Sequence, residues 1–345
     1  MKRLWIFLLS VFLVVAIGFG LLRAQTQSGS SIIRLDSALD SIVSANAKVE
    51  VLKDDYFGLS EGPLWVQEGQ TGYLLLSDIG SNNIYKWTPD GKLSVVLEKT
   101  GWSGTDTTNL LGYISSFNGR IYTVAFGSNG LARDPQGRLV WCAQGDRAII
   151  RQEKDGKRTV IADRYEGKRF NRPNDLAIKS NGSIYITDPR GANRPGLELD
   201  FAGVFLIKDG KVMLLEKEFS PNGITFSPDE KYLYVNGGGK VYRYDVMPDD
   251  TIANRRLFID MTADKTPGGT DGMKVDMRGN VFSSGPGGVW IMSPEGKHLG
   301  TIRAPEGGGV TNLAFGDADG KTLYLTVRRT LARIRLNTTG YRPNS

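Results

Sequence analysis

Cysteine and histidine are nearly missing from this 345-residue chain, which has one of each. With Cys142 alone, no intramolecular disulfide can form, and its place between Trp141 and Ala143 reads as a buried strand position rather than a reactive thiol. His298 alone excludes a clustered imidazole metal site and a repeated histidine-based triad. It follows the turn-like Pro294-Glu295-Gly296-Lys297 and is expected at the surface. No long helical periodicity follows the first few dozen residues. The net charge is +6, but no basic run is interleaved with aromatics as a nucleic-acid groove requires, so nucleic-acid binding is not expected. Proline is sparse, at 14, against 43 glycines, a balance that points to many tight turns rather than disorder.

The N-terminus differs from the rest. Met1-Lys2-Arg3 is basic, and Leu4 to Leu22 is apolar except for a serine and two glycines. Arg23-Ala24-Gln25 then offers cleavage after Ala24. Residues 1–24 read as a secretory signal peptide, with an uncleaved membrane anchor over 4–22 as the alternative. Either reading places the folded unit outside the cytoplasm, periplasmic or secreted. Residues 25–44 read as a polar linker and 45–340 as the folded unit.

That unit is built from a repeat. Six copies of an apolar strand, a Gly- or Asp-bearing turn and a β-branched or aromatic strand open at Glu61, Asn129, Asn174, Asn222, Asp271 and Asn312. Most continue into a third strand (NIYKWTP, AIIRQEK, GVFLIKD, KVYRYDV, GVWIMSP, TLARIRL) and several into a fourth. Four short antiparallel strands recurring about every 40–50 residues make a propeller blade. The spacing therefore predicts an all-β, six-bladed propeller. Lys48 to Leu52 is expected to complete the last blade, and the extra stretch from Gly101 to Gly127 to form a rim loop or hairpin.

All six opening residues carry side-chain oxygen, and all stand where the channel-lining strand begins. Asn-Gly and Asp-Gly are also ordinary turn dipeptides, which is the competing explanation for any one copy. Turn chemistry does not account for Glu61 before Gly62-Pro63, or for Asn312 before Leu313. Converging carboxylates repel each other unless a cation lies between them, and hard cations take carboxylate and amide oxygens. Glu61 and Asp271, with amide oxygens of Asn174 and Asn222, would make a neutral site for a divalent ion. Without thiolate or imidazole ligands, soft metals are disfavoured.

The runs EGPLW, SDIGSNNIYKWTPDG, SNGLARDPQGRLVWCAQGDR, RPNDLAIKSNGSIYITDP, SPNGITFSPDEKYLYV and TDGMKVDMRGNVF together resemble the gluconolactonase / senescence marker protein (regucalcin) family. The resemblance runs from about residue 45 onward. It implies a propeller with a channel metal, usually Ca²⁺, with Zn²⁺, Mg²⁺ or Mn²⁺ as alternatives, and hydrolysis of lactones or related esters. By the same resemblance Glu61, Asn174, Asn222 and Asp271 are metal ligands, and Asp271 is also the catalytic acid/base. Asn129, Arg172 and Asn312 are expected to contact a small-molecule substrate. The chain departs from the family at Gln144, where many bacterial members have histidine, and at Pro189-Arg190-Gly191, where many relatives read Pro-Tyr-Gly. A non-catalytic exported propeller that binds a carbohydrate or protein is the alternative from another class; hydrolysis of phosphorus esters is disfavoured without a channel histidine.

Overall fold

The computed structural model describes residues 31–105, 113–117, 120–124, 127–190 and 196–344, so the expected leader lies outside the described residues. Six four-strand antiparallel units follow one another along the chain. Blade 1 runs from Ser60–Glu68 outward to Leu93–Glu98, and blade 2 from Ser128–Arg133 to Arg158–Ala162. Blades 3 and 4 begin at Leu176–Ile178 and Ile224–Phe226. Blades 5 and 6 begin at Met273–Val275 and Asn312–Gly316.

The middle strands of a blade are sandwiched between neighbouring blades; in blade 5, Val281–Gly285 and Gly288–Met292 are buried throughout. Outermost strands such as Leu93–Glu98 meet solvent and carry charge. The core divides accordingly into six apolar clusters, one at each interface between blades. Aromatic pairs mark several of these interfaces. Trp65 of blade 1 stacks on Tyr324 of blade 6 with centroids 5.6 Å apart, and Tyr185 meets Phe226 edge-on at 4.9 Å between blades 3 and 4.

The ring is closed by the N-terminal part of the unit. Glu50–Lys53 pairs with Thr330–Arg335 as the fourth strand of blade 6, as the unpaired segment in the repeat predicts. Residues 32–43 depart from the expected polar linker. Ile32–Arg34 adds a fifth strand to blade 5 on His298–Arg303. A short 3₁₀ turn, Ser37–Ser41, capped by Asp36 accepting from the Ala38 amide, then buries Leu39, Ile42 and Val43 between blades 5 and 6. The three-residue strand covers an otherwise open sheet edge, which explains why so short a segment is ordered.

Cys142 is fully buried in Leu139–Ala143, and burial pushes its thiol well above the ordinary range, as expected of a structural cysteine. His298 lies on the outer strand of blade 5, stacked on Trp290 with centroids 3.7 Å apart.

Candidate active site in the propeller channel

Every inner strand starts at the same end of the channel, so its first residues form a ring there. A hydrogen bond across each of the six blade junctions pins that ring. The Ser77 hydroxyl donates to the Asn129 carbonyl (2.8 Å), the Gly130 amide to the Asn174 carbonyl (2.8 Å), and the Thr187 hydroxyl to the Asn222 carbonyl. The Asn236 amide group donates to the Asp271 carbonyl (2.7 Å), the Gly272 amide to Thr311 (2.7 Å), and the Thr311 hydroxyl to Ser60 (2.7 Å). The backbone beneath Asn129, Asn174, Asn222 and Asp271 is therefore fixed by the blade next to it.

Four of the opening residues are followed by glycine, and close approach is the reason. A Cβ on Gly62 would meet the Asn129 carbonyl oxygen at 2.1 Å, and one on Gly130 the Asp175 carboxylate at 2.6 Å. On Gly223 it would meet the Asp271 carbonyl oxygen at 2.2 Å, and on Gly272 the Asn312 amide oxygen at 2.1 Å. Only Gly62, at φ +48°, also needs the left-handed region. The Asn-Gly and Asp-Gly pairs here let neighbouring inner strands converge on the axis, a role distinct from that of a turn dipeptide.

The ring brings together the residues singled out by the sequence. Glu61, Asn129, Asn174 and Asn312 are buried, while Asn222, Asp271 and Arg172 are partly open to the channel. Burial, together with the nearby Asp175 charge, pushes Glu61 up to about 7, against hydrogen bonds from the Gly62 amide and Asn312. Asp271 is pushed well above the usual carboxylate range by burial and by the charges of Glu61 and Asp175, opposed by Arg172 and Asn222. The Asp271 amide is held by the Ser284 hydroxyl at 2.6 Å.

Asp175 is the functional candidate that the repeat pattern missed. It occupies the position that is glycine in four other copies, and its carboxylate is buried in the channel. It accepts from the Leu176 amide at 2.9 Å and from Asn312 Nδ2 at 3.4 Å, and burial raises it. Lys274, on the inner strand of blade 5, supplies a positive charge that opposes the shifts of both Glu61 and Asp175. Asn312 therefore faces two carboxylates, Glu61 and Asp175.

The donor chemistry fits a hard cation. Among the described residues no three His, Cys, Asp or Glu side chains form a metal-holding group. The channel instead offers two mutually destabilised carboxylates beside amides, and the Asn222 and Asn129 side-chain oxygens are buried without a hydrogen-bond partner. A buried amide oxygen left unsatisfied is the kind of group a bound cation or substrate completes.

The rim over blades 1–3 adds further polar groups. Asp188, at the end of the second strand of blade 3, accepts the Asn171 and Arg172 amides and is pushed up to about 7 by burial. That link holds the loop from which Arg172 projects its charge toward both Asp188 and Asp271. Gln144, which stands where the resemblance led us to expect histidine, is buried at the end of the second strand of blade 2. In the expected rim insertion, Tyr113–Phe117 pairs with Arg120–Val124 as a hairpin. In the chain it falls between the outer strand of blade 1 and the inner strand of blade 2.

Fold and site together define a six-bladed propeller with a carboxylate- and amide-lined channel. Within that class the chain belongs to the SMP-30/Gluconolactonase/LRE-like family, which it matches over residues 59–329. It is 34% identical over 325 residues to a gluconolactonase of Zymomonas mobilis, covering 90% of this chain and 87% of that one. The structure of a gluconolactonase from Xanthomonas campestris superposes with a TM-score of 0.73 at 30% identity, covering 90% of this chain and 96% of the other. A calcium-binding regucalcin from Agrobacterium tumefaciens shares the fold, with a TM-score of 0.64 at 20% identity over 86% of this chain and 98% of the other.

Proposed function

We propose that this protein is a metal-dependent lactonase that opens a sugar lactone or a related cyclic ester. The observation that carries the reading is the pairing of Glu61 and Asp271, each raised by burial and by neighbouring carboxylate charge, beside the unpartnered Asn222 oxygen. The gluconolactonases to which the chain is similar support the lactone class.

Glu61, Asn174, Asn222 and Asp271 would hold a divalent cation, calcium by the all-oxygen donor set. When bound, that cation supplies Lewis acidity toward the ester carbonyl and compensates the two carboxylates. Asp271 takes a proton from the water that adds to the carbonyl carbon. As the ring C–O bond breaks, it returns that proton to the departing alkoxide. Beside a bound cation its carboxylate would be ionised, as the role of base requires. Asn129, whose side-chain oxygen has no partner, would accept from a substrate hydroxyl, and Arg172, whose charge acts on Asp271, would offer a cation. Asn312 orients Glu61 and Asp175.

The test is Asp271→Asn, which keeps size and removes the base. Lactone turnover is expected to fall by at least about 10³-fold, with the melting temperature and circular dichroism retained. A chelator is expected to abolish wild-type turnover, and calcium, zinc, magnesium and manganese are compared for its recovery. Turnover persisting in Asp271→Asn would overturn the assignment. Export is part of the proposal and rests on residues 1–24 alone; fractionation of cells producing the full chain tests it.

A further inference from the structure

Six buried side-chain atoms among the described residues have no hydrogen-bond partner: Trp102 Nε1, Asn129 Oδ1, Gln144 Oε1, Asn171 Oδ1, Arg190 Nε and Asn222 Oδ1. All six belong to the end of the propeller at which the inner strands begin. Buried polar groups at the other end are saturated. Asp276 accepts from the Arg278 and Asn280 amides, from Asn280 Nδ2 and from the Thr338 hydroxyl. Asp134 takes two backbone amides and Arg138. A fold that satisfies its buried polar atoms at one end and leaves them open only at the other reserves those atoms for a ligand.

Asn129 and Asn222 belong to the channel ring. The other four lie on loops of blades 1 to 3 at the same end, an arc traced by the hydrogen bonds that join one loop to the next. The amide of Trp102 is held by Asn82, and the adjoining Gly101 accepts from the Asp146 amide. Asp146 lies in the turn that Gln144 opens, and the Arg147 amide of that turn donates to the Gln144 carbonyl. The Arg147 side chain donates to the carbonyl of Phe170, next to Asn171. The Asn171 amide in turn donates to Asp188, two residues before Arg190. Gln144 and Asn171 are at most 3% exposed.

We infer that Trp102, Gln144, Asn171 and Arg190 are specificity-determining residues that read the hydroxyl groups of the substrate beyond its ester. The inference rests on the lactonase reading for the position of that ester. Two acceptors and two donors along one arc suit a ligand whose groups both donate and accept, which is the property of a hydroxyl. An anionic group would satisfy the donors at Trp102 and Arg190 but would be repelled by the amide oxygens of Gln144 and Asn171.

Gln144→Met removes the unpartnered oxygen at nearly the same shape, and Trp102→Phe removes the indole N–H together with one ring of the side chain. The readout is the ratio of kcat/KM for D-glucono-1,5-lactone to that for δ-valerolactone, which has the ester without the hydroxyls. Each variant is expected to lower this ratio about tenfold, the effect of one hydrogen bond. Gln144→Met should melt close to the wild type, because the oxygen it removes has no partner in the free protein. An unchanged ratio in both variants overturns the inference, and so does a clear loss of stability in Gln144→Met. If the wild type opens neither lactone, the lactonase reading fails while the arc stays testable by titrating D-gluconate, which keeps the hydroxyls and lacks the ester. Binding about tenfold weaker in Gln144→Met then supports the arc. Equal binding, or no binding to the wild type, overturns it.

Discussion

Gly223→Ala tests whether the channel site is set by contact between blades. A methyl at Gly223 would stand 2.2 Å from the Asp271 carbonyl oxygen and 3.1 Å from the Gly272 backbone. The first distance is about 0.8 Å inside the closest approach that real Cβ atoms make. Both neighbours are backbone, so no side chain can rotate away, and the same carbonyl is tied to Asn236 at 2.7 Å. The inner strand of blade 5 must therefore move, and Asp271 moves with it. Overpacking of this kind costs about 1–3 kcal/mol. For a domain of this size that lowers the melting temperature by about 2–10 °C. A displacement near 1 Å at a reacting group lowers turnover by about 10²-fold. Gly269→Ala is the control, since an added methyl there meets nothing within 4 Å. Thermal melts, calcium titration and lactone kinetics on both variants decide the matter. If Gly223→Ala keeps the wild-type melting temperature and turnover, the blade contact does not set the site.

Two further outcomes follow from the buried charges. Glu61 and Asp188 are both pushed up to about 7, so between about pH 4 and 7 the folded, metal-free protein binds more protons than the unfolded chain. Its stability should therefore fall as pH rises through that window and level off above it; denaturant melts in chelator that show a rise would contradict the shifts. Asp250 is 1% exposed and accepts from Lys179 (2.5 Å), Lys208 (2.7 Å), Ser183 (2.8 Å) and Asn181 (2.9 Å), which together hold it well below the usual carboxylate range. Asp250→Ala leaves two lysines without their partner and should lower stability by about 3–5 kcal/mol while calcium affinity is unchanged, as measured by denaturation and calorimetry.

Most of the architecture is legible in the sequence because each blade repeats the same physical problem. An inner strand must begin with a channel residue, turn over Gly or Asp, and return through β-branched and aromatic residues buried on both faces. Closure by Glu50–Lys53 follows from counting strands, since one blade is short by one. The strand Ile32–Arg34 was not legible, because three residues after a Ser- and Gly-rich stretch carry no alternation. Only the later apolar positions Leu39, Ile42 and Val43 hint that the segment packs. Asp175 was hidden by the repeat itself: its position holds glycine in four copies, and the oxygen-bearing position that the copies share is Asn174 before it. The hydroxyls and amides that pin the ring, such as Ser77, Thr187 and Asn236, were visible in the ends of LLLSD, YITD and YVNG. Their role depends on the neighbouring blade, which a linear pattern does not show.

The two ends of the propeller divide the work of the molecule. At the far end, buried acids such as Asp134, Asp250 and Asp276 are saturated by turns and lysines, and the segment Thr338 to Asn344 crosses that face with bonds to blades 2 to 6. That end holds the blades in register. At the near end, three buried carboxylates face each other and several amide oxygens stay unpaired, an arrangement that lowers stability when nothing is bound. The glycines next to the ring carry the result from one end to the other. Because blades packed by their apolar interfaces meet there at backbone contact, the charges cannot relax by moving apart. The repulsion that sequence alone attributes to two carboxylates thus belongs to three, with Lys274 as a countercharge, and the rigidity of the fold holds it in place.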